Sequence, residues 1–202
     1  MITNILSLII FALTINSPNG AYVGDVVYTG GTELITASFK LYDQNGNMLY
    51  HIINPEAITF FISNSGVVFA TNEQNLYLYR INGEILTLKK LNYPNGFGFS
   101  PDNTIFFASD RDGIYAYSLS GELLYQLNPG RLFVSTDLAK KVAIVSNDTL
   151  FYYENGELKF QKILASPYVR SLKFFDDDNA IKIEIPDKIE TIKIKENLIK
   201  ED

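Results

Sequence analysis

The chain has 202 residues, 47% of them hydrophobic, and a net charge of −6. That apolar share suits a folded chain rather than a disordered one, and acidity without any basic stripe argues against a nucleic-acid partner. There is no cysteine, which excludes disulfides, thiolate catalysis, cysteine zinc sites and a lipidated N-terminal cysteine.

Residues 5–15 (ILSLIIFALTI) form an apolar run of signal-peptide length, closed by the polar break Asn16-Ser17-Pro18-Asn19-Gly20. The run is too short to span a bilayer as a helix. It is read as a signal peptide over residues 1–17, which places the chain outside the cytoplasm, secreted or periplasmic. The alternative is a buried first strand. No later stretch is long and apolar enough to cross a membrane, so the mature chain is expected to have no integral membrane segment.

From Pro18 onward the chain repeats. Pro18, Pro55, Pro94, Pro129 and Pro167 recur at a period of about 37 residues, the signature of stacked supersecondary units. Gly46, Gly83, Gly121 and Gly156 keep pace with them. The second unit reads AITFFI, VVFAT, LYLYR and EILTLKK; the third reads GFGFS, TIFFAS, GIYAYS and ELLYQL. The fourth reads RLFVS, VAIVS, TLFYY and ELKFQKI. Four short runs rich in aromatic and β-branched residues, parted by Gly, Asn, Asp and Ser, describe a β-meander. The second runs are continuously apolar, as strands buried on both faces are. Asn45-Gly46, Asn82-Gly83, Ser120-Gly121 and Asn155-Gly156 supply the positive φ angles of tight hairpins before the fourth strands.

Units of this kind build an all-β propeller, here with about five four-stranded blades in a single domain over residues 18–202. The first unit matches the pattern poorly, and the fifth is short of a fourth strand. An incomplete closing blade leaves self-association as a possible way to finish the array.

The segment FSPDNTIFFASDRDGIYAYSLSGELL (residues 99–124) resembles the WD40-like repeat of TolB-type β-propellers. Residues 66–86, GVVFATNEQNLYLYRINGEIL, resemble the repeat of quinoprotein (PQQ-like) propellers; the likeness is clearest over residues 55–127. The resemblance implies the propeller fold and an extracytoplasmic setting. It does not carry over a quinone cofactor, because the tryptophan that docks neighbouring quinoprotein blades is missing from a chain without Trp.

Catalytic constellations are thin. His51 is the single histidine and lies in a strand run, MLYHII, with no serine-elbow motif to serve. One histidine cannot found a multi-histidine metal site. Asp176, Asp177 and Asp178 with Asn179, and Asp110-Arg111-Asp112-Gly113, could begin an oxygen-ligand cation site, but both read better as tight polar turns. Glycosidase carboxylates would belong on innermost strands, where only Asp25 and, at a strand entrance, Glu56 are candidates. No catalytic residue, metal site or cofactor is therefore assigned.

What remains is the rim formed by links between blades and by loops joining second to third strands. It gathers Tyr93, Arg111, Arg131, Tyr168 and Arg170, with Asp110, Asn54, Asn92 and Asn128 beside them. Tyr and Arg are the residues most enriched at binding hot spots. The expected function is a non-enzymatic binding or scaffold module for a protein or glycan. A carbohydrate-active hydrolase or lyase and a structural subunit of a larger assembly are the alternatives.

Overall fold

The computed structural model describes residues 9–30, 35–53, 57, 59–72, 74–127, 130 and 132–198. Strands dominate throughout. The first sheet runs β1 (Ile9–Asn16), β2 (Tyr22–Gly30), β3 (Ile35–Asp43) and β4 (Met48–Ile53). The second runs β5 (Thr59–Ile62), β6 (Val68–Thr71), β7 (Asn75–Tyr79) and β8 (Ile85–Lys90). The third holds β9 (Gly96–Phe99), β10 (Ile105–Ser109), β11 (Ile114–Ser118) and β12 (Leu123–Leu127). The fourth holds β13 (Leu132–Ser135), β14 (Lys141–Ser146), β15 (Thr149–Glu154) and β16 (Glu157–Ile163). In the fifth, β17 (Ser171–Phe175), β18 (Ala180–Ile185) and β19 (Lys188–Lys193) precede a short helix, α1 (Ile194–Leu198). Each sheet is an antiparallel meander in chain order; the first four have four strands and the fifth has three among the described residues.

Two compact units contain these sheets, residues 1–91 and 92–202. In the first unit, Val26, Phe39 and Leu41 of the first sheet pack on Phe60, Ile62, Val68 and Tyr79 of the second. Phe39 and Phe60 stack with ring centroids 4.5 Å apart. In the second unit β14 shows why a continuous apolar run is needed. Val142 and Ile144 enter the core shared with Phe107 and Ile114 of the third sheet, while Ala143 and Val145 enter the core shared with Ile181 and Ile183 of the fifth. Alternate residues of one strand thus serve two different cores. Alternation of chemistry is not alternation of burial in β7 either: Leu76, Tyr77, Leu78 and Tyr79 are all buried.

Two turn devices repeat. Between first and second strands a buried hydroxyl residue closes the loop, at Ser17, Ser63, Ser100 and Thr136. In each case its side-chain oxygen accepts the backbone N–H of the residue that leaves the turn: Tyr22, Val67, Ile105 and Lys141, at 3.0 to 3.1 Å. Between third and fourth strands Gly46, Gly83 and Gly121 take φ of +79°, +83° and +90°, whereas Asn155 and Gly156 both take positive φ, the signature of a two-residue type I′ turn. The third strand slips register against the fourth once in each of the first four sheets, at Leu41/Tyr42, Leu76/Tyr77, Ala116/Tyr117 and Tyr152/Tyr153.

The phase of the first repeat differs from the sequence expectation. Pro18 does not precede the first strand as the link prolines do; it follows β1, beside the buried Ser17, as Pro101 follows Ser100. Both prolines occupy the same turn, whose second position accepts a fixed φ near −65°. The first sheet therefore takes residues from both sides of Pro18, and β1 pairs in register with β2 from Ile9↔Gly30 to Asn16↔Val23. The boundary expected after residue 17 falls in the β1–β2 turn.

Candidate functional site

In an antiparallel meander the link that enters a sheet and the loop joining its second and third strands lie at the same end. In the third sheet these are residues 91–95 and 110–113, and one carboxylate ties them together. Asp110 is fully buried. Its Oδ1 accepts the N–H groups of Asp112 and Gly113 at 2.8 and 3.1 Å, and its Oδ2 accepts the N–H of Asn92 at 3.0 Å. The Asn92 carbonyl accepts the Arg111 N–H at 2.8 Å, and the Asn92 amide donates to both oxygens of Asp112 at 3.0 and 3.1 Å. Burial, then the charge of Asp110 and a hydrogen bond to it, push the Tyr115 phenol up to about 12. The expectation of a tight loop held by short acids describes what Asp110 does.

This clamp leaves two side chains outside. Tyr93 is 75% exposed and takes φ +54°, a left-handed conformation that costs a non-glycine residue about 1–2 kcal/mol. The Arg111 guanidinium carbon lies 5.4 Å from the Tyr93 ring centroid, within cation–π range. Tyr93 and Arg111, chosen from sequence for their place on the rim, are thus brought together as one aromatic–cationic platform.

The other rim residues do not join it. Tyr168, 66% exposed, and Arg170 stand where the chain enters β17, with the Arg170 N–H bonded to the Glu184 carbonyl. Among the described residues no hydrogen bond or ring contact links them to Tyr93 or Arg111. Arg131, Asn54, Asn128 and Glu56 lie outside the described residues. Asp25 sits on β2, a second strand, and accepts a hydrogen bond from Thr14, so it is not an inner-strand carboxylate. His51 lies exposed on β4 opposite Lys40. Asp176, Asp177 and Asp178 form the β17–β18 turn with φ of +56°, +49° and +61°. Among the described residues no three His, Cys, Asp or Glu side chains are grouped to hold a metal ion.

Sequence reasoning passed over a second feature at the other end of these sheets. An open groove of about 320 Å³ runs between the first strands and first turns of the second unit. Pro101, Val134 and Phe174 supply apolar wall; Ser135, Asp137, Lys173 and Asp178 supply polar groups. Its acids come from turns of different sheets, so no linear motif marks them.

Repeated antiparallel meanders, packed face to face on shared cores, define this chain as a β-propeller. The comparisons with solved structures agree at the level of fold. A eukaryotic initiation factor matches with a TM-score of 0.67 at 10% identity, over 93% of this chain and 52% of that one. Hsv2 of Kluyvelomyces marxianus matches with a TM-score of 0.55 at 10% identity, over 90% of this chain and 71% of that one. KlHsv2 with loop 6CD replaced by a Gly-Ser linker matches at 0.54 and 9% identity, over 92% and 78%. This chain spans about half the length of the initiation factor. No protein-family model and no curated protein matches the sequence.

Proposed function

We propose that this propeller is a non-enzymatic binding module whose recognition surface centres on Tyr93 and Arg111, with Tyr168, Arg170 and Arg131 as further contacts for a protein or glycan partner. One observation carries the reading. A tyrosine 75% exposed to solvent takes a strained backbone angle beside Asn92, whose N–H the buried Asp110 carboxylate holds. Strain that is retained without a packing reward points to recognition. Tyr and Arg together provide a large flat contact and a fixed charge, the combination that dominates binding energy elsewhere.

The test is a pull-down from native extract and a glycan-array screen, each run with the wild type and with Tyr93→Ala/Arg111→Ala. A partner captured by the wild type and lost with the double variant supports the reading. A partner held equally by both places recognition elsewhere.

A kinship with TolB-type or quinoprotein repeats and an extracytoplasmic location belong to the same reading. The location rests on the apolar run of residues 5–15, and N-terminal sequencing of the native protein checks it: an intact Met1 overturns it. A second reading, a subunit of a larger assembly, draws on the fifth sheet, which has three strands among the described residues, with β18 the one described neighbour of its outer strand β19. Sedimentation as a monomer at all concentrations removes that reading.

A further inference from the structure

The fifth sheet gives one face to the core and the other to solvent. Leu172, Ile181, Ile183 and Ile192 enter the core shared with the fourth sheet. Alternate residues of the same strands point the opposite way. On that opposite face Lys173 stands directly across from Lys182, and Lys193, across from Ala180 one row along, is diagonal to Lys182. The three lysines are far apart in sequence, so no linear run announces them; strand register gathers them. Phe175 and Ile189 lie on the same face, 37% and 56% exposed. Glu184 is the one acid these strands place there, and its carboxylate accepts the Ser171 hydroxyl at 2.9 Å. Like charges directly opposite one another destabilise a sheet. Lys193 pairs with Glu196 at 3.0 Å, but Lys173 and Lys182 make no ion pair or side-chain hydrogen bond among the described residues, so nothing described offsets their repulsion.

A basic face with uncovered apolar side chains, on a chain of net charge −6, fits a partner that is acidic and partly apolar. We propose that this face of the fifth sheet docks an acidic segment of a partner protein, with its carboxylates on Lys173, Lys182 and Lys193 and its apolar side chains on Phe175 and Ile189. Nucleic acid fits less well, because its phosphates would approach an acidic chain with three lysines to hold them. An anionic membrane would press on Asp176, Asp177 and Asp178, which form the turn at the end of the same sheet. The surface belongs to a different sheet from the Tyr93–Arg111 platform and does not rest on it.

The probes are poly-L-glutamate and a short peptide alternating glutamate with valine, titrated against the full chain by fluorescence anisotropy. Poly-L-lysine, a single-stranded DNA oligonucleotide and phosphatidylserine vesicles are the comparisons. Saturable binding is expected with the acidic probes, tighter for the peptide that adds valine and weaker as salt is raised. Lys173→Ala and Lys182→Ala are each expected to lower affinity about two- to fivefold, and together about tenfold, while the two lysine-to-arginine variants retain it. Removing one member of a repelling pair leaves the melting temperature of the free chain unchanged or raised, which separates lost docking from lost fold. The proposal is overturned if no acidic probe saturates, if the double alanine variant binds as the wild type does, or if the DNA or the vesicles bind more tightly than the acidic peptide.

Discussion

Single residues decide whether the rim platform exists, and Asp110 decides most. It satisfies three backbone N–H groups and meets the Tyr115 phenol from a fully buried position. Removing it leaves three backbone donors without their acceptor, that of Gly113 buried, so Asp110→Ala is expected to cost about 3 kcal/mol in urea unfolding. A loss below 1 kcal/mol would mean the loop is held some other way. Tyr93 presents the opposite case. Asparagine tolerates φ +54° better than tyrosine, so Tyr93→Asn should leave the melting temperature equal or about 2–4 °C higher while partner capture is lost. A stabilised variant that still binds would show the strain to be incidental. Asp102 adds a pH-dependent term. Burial pushes its carboxyl up, but hydrogen bonds from Ser100, Thr104 and the backbone N–H groups of Leu138 and Thr104 outweigh burial and hold it below the usual carboxylate range. Its stabilising contribution is present above the ordinary aspartate pKa and is lost as pH falls through the lowered one. Asp102→Asn should therefore flatten the acid limb of a stability–pH profile; an unchanged limb would remove Asp102 from the account.

At the scale of the element, the first turn of each meander is the repeated unit of specification. Ser17, Ser63, Ser100 and Thr136 each hold the chain as it leaves the turn with one hydroxyl, and the hydroxyl is buried with it. Ser63→Ala should cost about 1 kcal/mol, the usual net worth of such a bond, read as a shift in the urea midpoint at constant slope. A neutral Ser63→Ala would show that the loop closes on backbone bonds alone. These turns also explain how the repeat was legible in period and illegible in phase. The glycines after the third strands are forced by positive φ and so recur at the same point of the first four meanders. The prolines are not forced in the same way, because a link and the first turn both accept a fixed φ. Pro18 and Pro101 occupy turns, while Pro94 lies in a link. Ser17-Pro18 stands between β1 and β2 as Ser100-Pro101 stands between β9 and β10, so a proline alone does not tell a first turn from a link.

For the molecule as a whole, the meander pattern carried the fold, because strands buried on both faces leave continuous apolar runs that no helix would write. The site was legible only where it lies on neighbouring loops. Tyr93 and Arg111 meet across one link and one loop of a single sheet, so strand order predicts their encounter. The groove draws Asp137 from the fourth sheet and Asp178 from the fifth, and only packing unites them. Packing also fixes how the chain meets alkali. Burial pushes the phenols of Tyr115, Tyr117 and Tyr125 up to about 12, helped in Tyr115 by the charge of Asp110. All three lie on β11 and β12. Their folded pKa exceeds the unfolded value near 10, so the folded chain keeps protons that the unfolded chain releases. Stability from this source is full below the unfolded pKa and falls as pH rises toward the folded one. Tyrosinate absorbance and far-UV circular dichroism followed together above pH ~10 should show these phenols ionising in step with loss of the strand signal. Tyr117→Phe should make the alkaline loss of stability shallower, since one of the linked protons is gone. Tyrosines that all titrate near the unperturbed value while the dichroism stays native would mean that the third sheet does not bury them.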